Sequence, residues 1–150
     1  MNIDYEINKD TLVLISEGEN KTYVLEKENE YMIPCETLEV IEHSCEYFGS
    51  TYEGRHLGTT KLLGITHKTP IIIEESNNLI FFPTSSPKSK NCIWVSLNHI
   101  LNYKQGKKEK TTEIEFKNGK KIEINASIGS INNQVLRASR LDLLIRERKK

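Results

Sequence analysis

Cysteine is scarce in this chain, and the few cysteines lack the spacing of a disulfide framework or a metal site. The 150 residues contain only Cys35, Cys45 and Cys92, an odd number without a CxxC pair. The histidines and cysteines match no common zinc-ligand spacing either. We therefore expect free thiols, with Cys45 and Cys92 buried, a reducing compartment such as the cytoplasm, and neither a metal nor another cofactor.

Long apolar runs and nucleotide-binding motifs are also absent. No run of about 18 apolar residues occurs, so neither a membrane-spanning helix nor a membrane partner is expected. The acidic segment 1–10 lacks the apolar core of a secretory signal. Neither the P-loop pattern nor GxGxxG is present. With 37% apolar and 28% charged residues, the chain is typical of one globular domain covering residues 1–150.

The formal net charge is zero, but the charge is unevenly distributed along the chain. Residues 1–60 contain 13 Asp and Glu against 4 Lys and Arg, a net of −9. Residues 61–150 contain 8 Asp and Glu against 17 Lys and Arg, a net of +9. A basic half commonly binds a polyanion, because neutralised phosphates release counterions. Two alternatives remain open: a solvated surface, or pairing of the two halves within or between subunits.

Short alternating segments predict three β-hairpins. Their strands cover residues 11–16 and 22–26, 70–74 and 79–82, and 112–116 and 120–124. The last pair surrounds Asn118-Gly119, the strongest short hairpin signal, and places Ile114 and Phe116 on one face with Ile122 and Ile124. A further strand is expected over residues 93–96, with Trp94 in the core.

Helical periodicity appears in two places. Apolar residues at 3-4-3 spacing from Leu38 to Phe48 predict a helix with Thr37 as its N-cap and Gly49 just past its end. Ser127 caps a second, C-terminal helix whose stripe should pack on the 112–124 hairpin; the stripe comprises Ile128, Ile131, Val135, Ala138, Leu141 and Ile145. The predicted fold is α+β: an antiparallel β-sheet with a C-terminal amphipathic helix and an N-terminal β/helix portion.

Two polar segments carry candidate phosphate ligands. Residues 50–61 are rich in Gly, Ser and Thr, and we predict a loop there with Arg55 and Lys61 exposed. Amides of such a loop approach phosphates closely, and an arginine enters a narrow minor groove readily. Residues 84–91 form a second predicted loop that presents Lys88 and Lys90. The alternative for both segments is an ordinary solvated loop. The lysines of residues 104–110 and the arginines of the last helix are more typical of solvated faces.

Several motifs, in one order over about residues 40–141, resemble the bacterial competence transcription factor family, ComK. The first is Ser44-Cys45-Glu46-Tyr47-Phe48-Gly49-Ser50-Thr51-Tyr52-Glu53-Gly54-Arg55, followed by His67-Lys68-Thr69-Pro70-Ile71. Next come Phe82-Pro83-Thr84-Ser85-Ser86 and Cys92-Ile93-Trp94-Val95-Ser96, with His99 behind. The FKNGK hairpin at 116–120, Asn133-Gln134-Val135 and Arg137 continue the likeness.

The resemblance implies a non-enzymatic activator of DNA-uptake genes that works at the nucleoid. Such a protein binds AT-rich double-stranded DNA largely through the minor groove, as a dimer or higher assembly. The predicted DNA-binding residues are Arg55, Lys61, Lys68, Lys88 and Lys90. Family members usually continue into a C-terminal stretch associated with a Clp protease adaptor of the MecA type, which we expect this chain to lack. The alternatives are an interaction module that dimerises or binds the adaptor without activating, and a small enzyme.

Overall fold

The computed structural model describes residues 3–149, which form nine β-strands, three α-helices and one short 3-10 helix. The elements in chain order are β1 (Thr11–Ser16), β2 (Thr22–Glu26), β3 (Glu30–Ile33), α1 (Thr37–Tyr47), α2 (Tyr52–Leu63), β4 (Ile71–Glu74), β5 (Leu79–Pro83), β6 (Ile93–Ser96), the 3-10 helix (Leu97–His99), β7 (Ile100–Gln105), β8 (Thr112–Phe116), β9 (Lys121–Ile124) and α3 (Ile128–Arg148). The predicted α+β class is confirmed.

The strands form two antiparallel sheets. The larger has the order β3-β2-β1-β6-β5-β4, and the smaller has the order β7-β8-β9. All three predicted hairpins are present, and Ile114 pairs with Ile122 as expected. The turns need a left-handed backbone, which Gly18 and Gly119 supply with φ of 90° and 94°. Turn chemistry and alternation were therefore sufficient to place these strands.

The larger sheet is buried on both faces. Along β6, Trp94 faces one hydrophobic cluster, and its neighbours Ile93 and Val95 face the other. The first cluster lies under α1 and the segment that contains Tyr5 and Ile7. The second cluster joins the sheet to α3 and to the smaller sheet. Alternation along fully apolar strands therefore gives a layered molecule with the six-stranded sheet in the middle.

The N-cap of helix α1 lies one residue earlier than we predicted. The N-cap is Glu36, and a capping box links it to Glu39, whereas Thr37 is the first helical residue. Gly49 follows the helix with φ of 85°, as expected. Thr37 is instead buried and shares a hydrogen bond of 2.9 Å with Thr22 on β2. A buried threonine hydroxyl therefore links α1 to the sheet rather than capping the helix.

Helix α3 is capped as predicted, since the Ser127 side chain accepts from the Ser130 amide at 3.2 Å. Its stripe is largely buried, with Ile131, Ala138 and Leu141 fully inaccessible. The prediction that α3 packs on the 112–124 hairpin is only partly right. The helix packs most closely on β5, α2 and the 3-10 helix, and it shares one core with Ile114 and Phe116 of the smaller sheet.

Two strands, β3 and β7, were not predicted. Most of their side chains are exposed, so neither strand shows the apolar alternation that a half-buried strand produces.

None of the helices within residues 3–149 has the length and apolarity needed to cross a membrane.

Leu141→Asp should lower the free energy of unfolding by at least about 3 kcal/mol, because it places an unpaired charge in the core. Arg146→Ala should cost less than about 0.5 kcal/mol, although Arg146 pairs with Asp142 at 3.0 Å, because that pair is solvent-exposed. Urea denaturation of both variants measures the difference. Equal stability of the two variants would show that the stripe is not packed against the sheets.

Candidate nucleic-acid interface

Residues 50–61 are not a loop, and that prediction is wrong. Helix α2 begins after Thr51, whose side chain accepts from the Gly54 amide at 3.0 Å, and it ends at Gly64 in the left-handed conformation, φ 70°. Apolar periodicity misses this helix because a polar residue, Thr59, points inward. The Thr59 hydroxyl is buried and donates to the Pro70 carbonyl at 2.8 Å. The capping threonine and the terminal glycine were the usable signals.

Arg55 lies on α2 and is not an exposed loop residue. Its side chain is 21% exposed, and Nη1 lies 3.4 Å from Oε1 of Glu75 in the β4–β5 turn. Lys149, after α3, lies 3.6 Å from the other oxygen of the same carboxylate. Glu75 therefore joins α2 to the end of α3. Removal of Arg55 should therefore affect packing as well as charge.

The segment between α2 and β4 displays His67 and Lys68 on a constrained backbone. Lys68 has φ of 51°, a left-handed conformation that is uncommon for a residue with a side chain. Gln134 of α3 is fully buried and donates through Nε2 to the carbonyl oxygens of Lys68 and Pro83, at 2.9 and 2.7 Å. These bonds hold the backbone of the segment in place, so the side chains of His67 and Lys68 extend from a pre-organised loop.

Arg137 completes the support of this segment. Its Nη1 donates to the His67 carbonyl and to Oε1 of Gln134, both at 3.2 Å. On the other side, Nδ1 of His56 on α2 shares a hydrogen bond of 2.8 Å with the Thr69 hydroxyl. The loop of residues 66–69 is therefore held by side chains of both α2 and α3.

A small cavity of about 140 Å³ opens beside this loop. It is lined by Tyr52, His56, Thr66, His67, Lys68, Thr69, Ser86 and Pro87. None of these lining residues carries a carboxylate, and several offer N–H or O–H donors. Burial raises the pKa of Tyr52, so its hydroxyl stays protonated. We refer to this set of eight residues as the loop-68 pocket; its size and donors suit an anionic group such as a phosphate.

The other predicted lysines are divided between two environments. Lys61 is exposed in the last turn of α2, and no carboxylate pairs with it among residues 3–149. Lys90 lies 2.8 Å from Glu19. Lys88 shares a cavity with the acidic residues Glu36, Glu39 and Glu42. Lys61 and Lys68 therefore lie on α2 and the loop that follows it, whereas Lys88 and Lys90 lie beside acidic side chains.

The charge asymmetry of the sequence is also an asymmetry of the fold. The acidic helix α1 covers one face of the six-stranded sheet, and α3, with four arginines, covers the other. The acidic helix and the arginine-rich helix therefore pack on different faces of the sheet. A polyanion would meet a favourable potential on the α3 side and an unfavourable one on the α1 side.

Two further features of the structure concern catalysis and metals. All three cysteines are free and buried; burial was predicted for Cys45 and Cys92. Burial raises the pKa of the Cys35 and Cys45 thiols to about 11, so these thiols are protonated and weakly nucleophilic at neutral pH. Within residues 3–149, no three His, Cys, Asp or Glu side chains are grouped to hold a metal.

Sequence reasoning missed His56, His67, Gln134 and Arg137 as contributors to this surface. One signal was available for Gln134. It lies three residues after Ile131 and four before Ala138, so it has the period of the buried stripe although it is polar. A polar residue at a core position of a helix usually has a specific hydrogen-bond partner.

The chain is similar to known proteins of one family. A family model described as "ComK protein" matches residues 2–150. The chain is 34% identical over 147 residues to the "Competence transcription factor" of Bacillus subtilis (strain 168), covering 96% of this chain and 76% of that protein. No solved structure gives a significant match. The extent of the family match and this level of identity place the chain in the ComK family.

Proposed function

We propose that this protein is a DNA-binding transcription factor of competence genes, which binds AT-rich duplex DNA with the α2–α3 side of its fold. The observation that carries the proposal is the loop-68 pocket, a cluster of cationic and hydroxyl donors held on a fixed backbone by the buried Gln134. The name of the Bacillus subtilis relative supports the same function. The site of action would be the nucleoid in the cytoplasm.

Within this surface, Lys61 and Lys68 are the proposed principal phosphate contacts. Both are displayed from fixed backbone and neither has a carboxylate partner among residues 3–149. Arg55, Lys88 and Lys90 are proposed as secondary contacts. To bind a phosphate, Arg55 would have to break its ion pair with Glu75. Lys90 would likewise have to break its ion pair with Glu19, and Lys88 would have to bind DNA beside an acidic cavity.

The preference for AT-rich DNA and the minor groove rests on the family resemblance and on electrostatics. The narrow minor groove of an A-tract has an enhanced negative potential, which favours inserted cationic side chains. The exposed face of α2 carries Gly54 and Gly58 beside Leu57 and Lys61, so the helix backbone can approach DNA closely there. Phosphate contacts would position the protein, and groove width would supply the selectivity.

A dimer is the proposed assembly. Leu136 and Leu143 are 62% and 55% exposed and lie seven residues apart on the same side of α3. Burial of these side chains between two copies would remove apolar area from water. These leucines also favour the alternative of an interaction module that dimerises without activating. Binding to a Clp protease adaptor of the MecA type belongs to that alternative.

The protein should bind an AT-rich duplex at least about tenfold more tightly than a GC-rich duplex of equal length, and the affinity should fall steeply with salt. Each phosphate contact contributes a slope of about −0.9 in log K against log salt concentration. Fluorescence anisotropy with both duplexes over a salt series measures both quantities. Equal affinity for the two duplexes, or a flat salt dependence, would contradict DNA recognition and favour the interaction module.

Lys61→Ala combined with Lys68→Ala should weaken binding to AT-rich DNA by about tenfold and reduce the salt slope by about two units. Lys88→Ala combined with Lys90→Ala should have a smaller effect, because Lys90 already has a carboxylate partner. Lys9→Ala with Lys21→Ala, both exposed in the acidic half, removes the same charge and is the matched control. If all three double variants lose affinity equally, net charge rather than the α2 surface determines binding.

A further inference from the structure

Strand β3 is a free edge of the larger sheet. Among residues 3–149, it pairs with β2 on one side and with no strand on the other. The Glu26 amide donates to the Asn29 carbonyl at 2.8 Å, so these residues form a hydrogen-bonded pair. Because such pairs alternate along an antiparallel ladder, the backbone N–H and C=O groups of Glu30 and Met32 face away from β2. Tyr31 and Met32 are 42% and 52% exposed. An exposed edge of this kind is a template for another strand.

A cavity of about 710 Å³ lies beside this edge, between β3 and the N-terminal segment. Its lining is acidic and apolar, and none of its residues is a lysine, an arginine or a histidine. Four carboxylates contribute, from Asp4, Glu6, Asp10 and Glu26. Two of them have side-chain neighbours: Glu6 lies 2.9 Å from Nε2 of His43, and Asp10 lies 3.9 Å from Nζ of Lys27.

The aromatic part of the cavity also suits a cation. The rings of Tyr5 and Tyr31 lie 5.6 Å apart, and Tyr31 is the more exposed of the two. The Tyr5 hydroxyl donates to Oε2 of the buried Glu26 at 2.6 Å. An ammonium or guanidinium group above Tyr31 would therefore meet the face of a ring and nearby carboxylates together.

We propose that the β3 edge and its acidic cavity bind a basic, extended segment of another protein, which adds to the sheet as a strand and places Lys or Arg side chains in the cavity. This goes beyond the proposed DNA binding and uses the opposite, negative side of the fold. DNA is repelled from this side by like charge. A second copy is disfavoured, because β3 and its flank carry Glu28 and Glu30, so a β3–β3 pair would bring carboxylates of like charge together.

The test uses the full chain and two synthetic peptides of eight residues, one alternating lysine with threonine and the other alternating glutamate with threonine. Asp4→Asn with Asp10→Asn removes two cavity charges that lie at exposed positions. Glu46→Gln with Glu53→Gln, also exposed and outside the cavity, removes equal charge and is the matched control. Met32→Pro removes one outward amide at an edge position where proline is tolerated, and Met32→Thr keeps that amide.

The lysine peptide should bind and the glutamate peptide should not. Affinity at low salt should fall about tenfold in the Asp4 and Asp10 variant and be nearly unchanged in the Glu46 and Glu53 variant. Met32→Pro should weaken binding while Met32→Thr retains it, and melting temperatures identify any variant that fails to fold. Equal losses in the cavity variant and its control would overturn the proposal. So would a β3 edge that mediates self-association of the chain in sedimentation.

Discussion

The buried amide of Gln134 connects the parts of the fold that carry the proposed function. One fully buried side chain donates to the carbonyls of Lys68 and Pro83 and accepts from Arg137. These carbonyls belong to the loop that displays Lys68 and to the end of β5. A buried carbonyl without a donor costs about 1–3 kcal/mol, so the amide fixes the loop, the strand end and the register of α3 together. The left-handed backbone of Lys68 is sustained by this bond.

The six-stranded sheet then separates two electrostatic environments. Because it is apolar on both faces, α1 can cover one side and α3 with the smaller sheet can cover the other. The glutamates of α1 and the arginines of α3 therefore lie on different faces of the sheet, whereas Lys90 of the second half of the chain pairs with Glu19 of the first half at 2.8 Å. In the proposed function, DNA would bind on the α3 side and a cationic segment would bind at the β3 edge, so the two partners would not compete for one surface.

Local patterns predicted the hairpins, the C-terminal helix and its cap, because alternation, Asn-Gly turns and capping serine act over a few residues. Helix α2 could not be predicted from apolar period, since Thr59 points inward through a hydrogen bond and Gly54 and Gly58 lower helix propensity. Lys90 pairs with Glu19, which lies 71 positions away in the chain, so local patterns could not predict this contact. Motif resemblance placed Lys68 among the site residues, but only the fold shows that Gln134 supports it.

Amide hydrogen exchange, with and without an AT-rich duplex, tests the central claim most directly, because it maps the bound surface along the whole backbone. DNA on the α2–α3 side should slow exchange in residues 52–69 and 132–148, and should leave α1 and β3 unchanged. Protection concentrated in α1, in β3 or in residues 84–91, with no change in residues 52–69, would contradict the assignment of the interface to the positive side of the sheet.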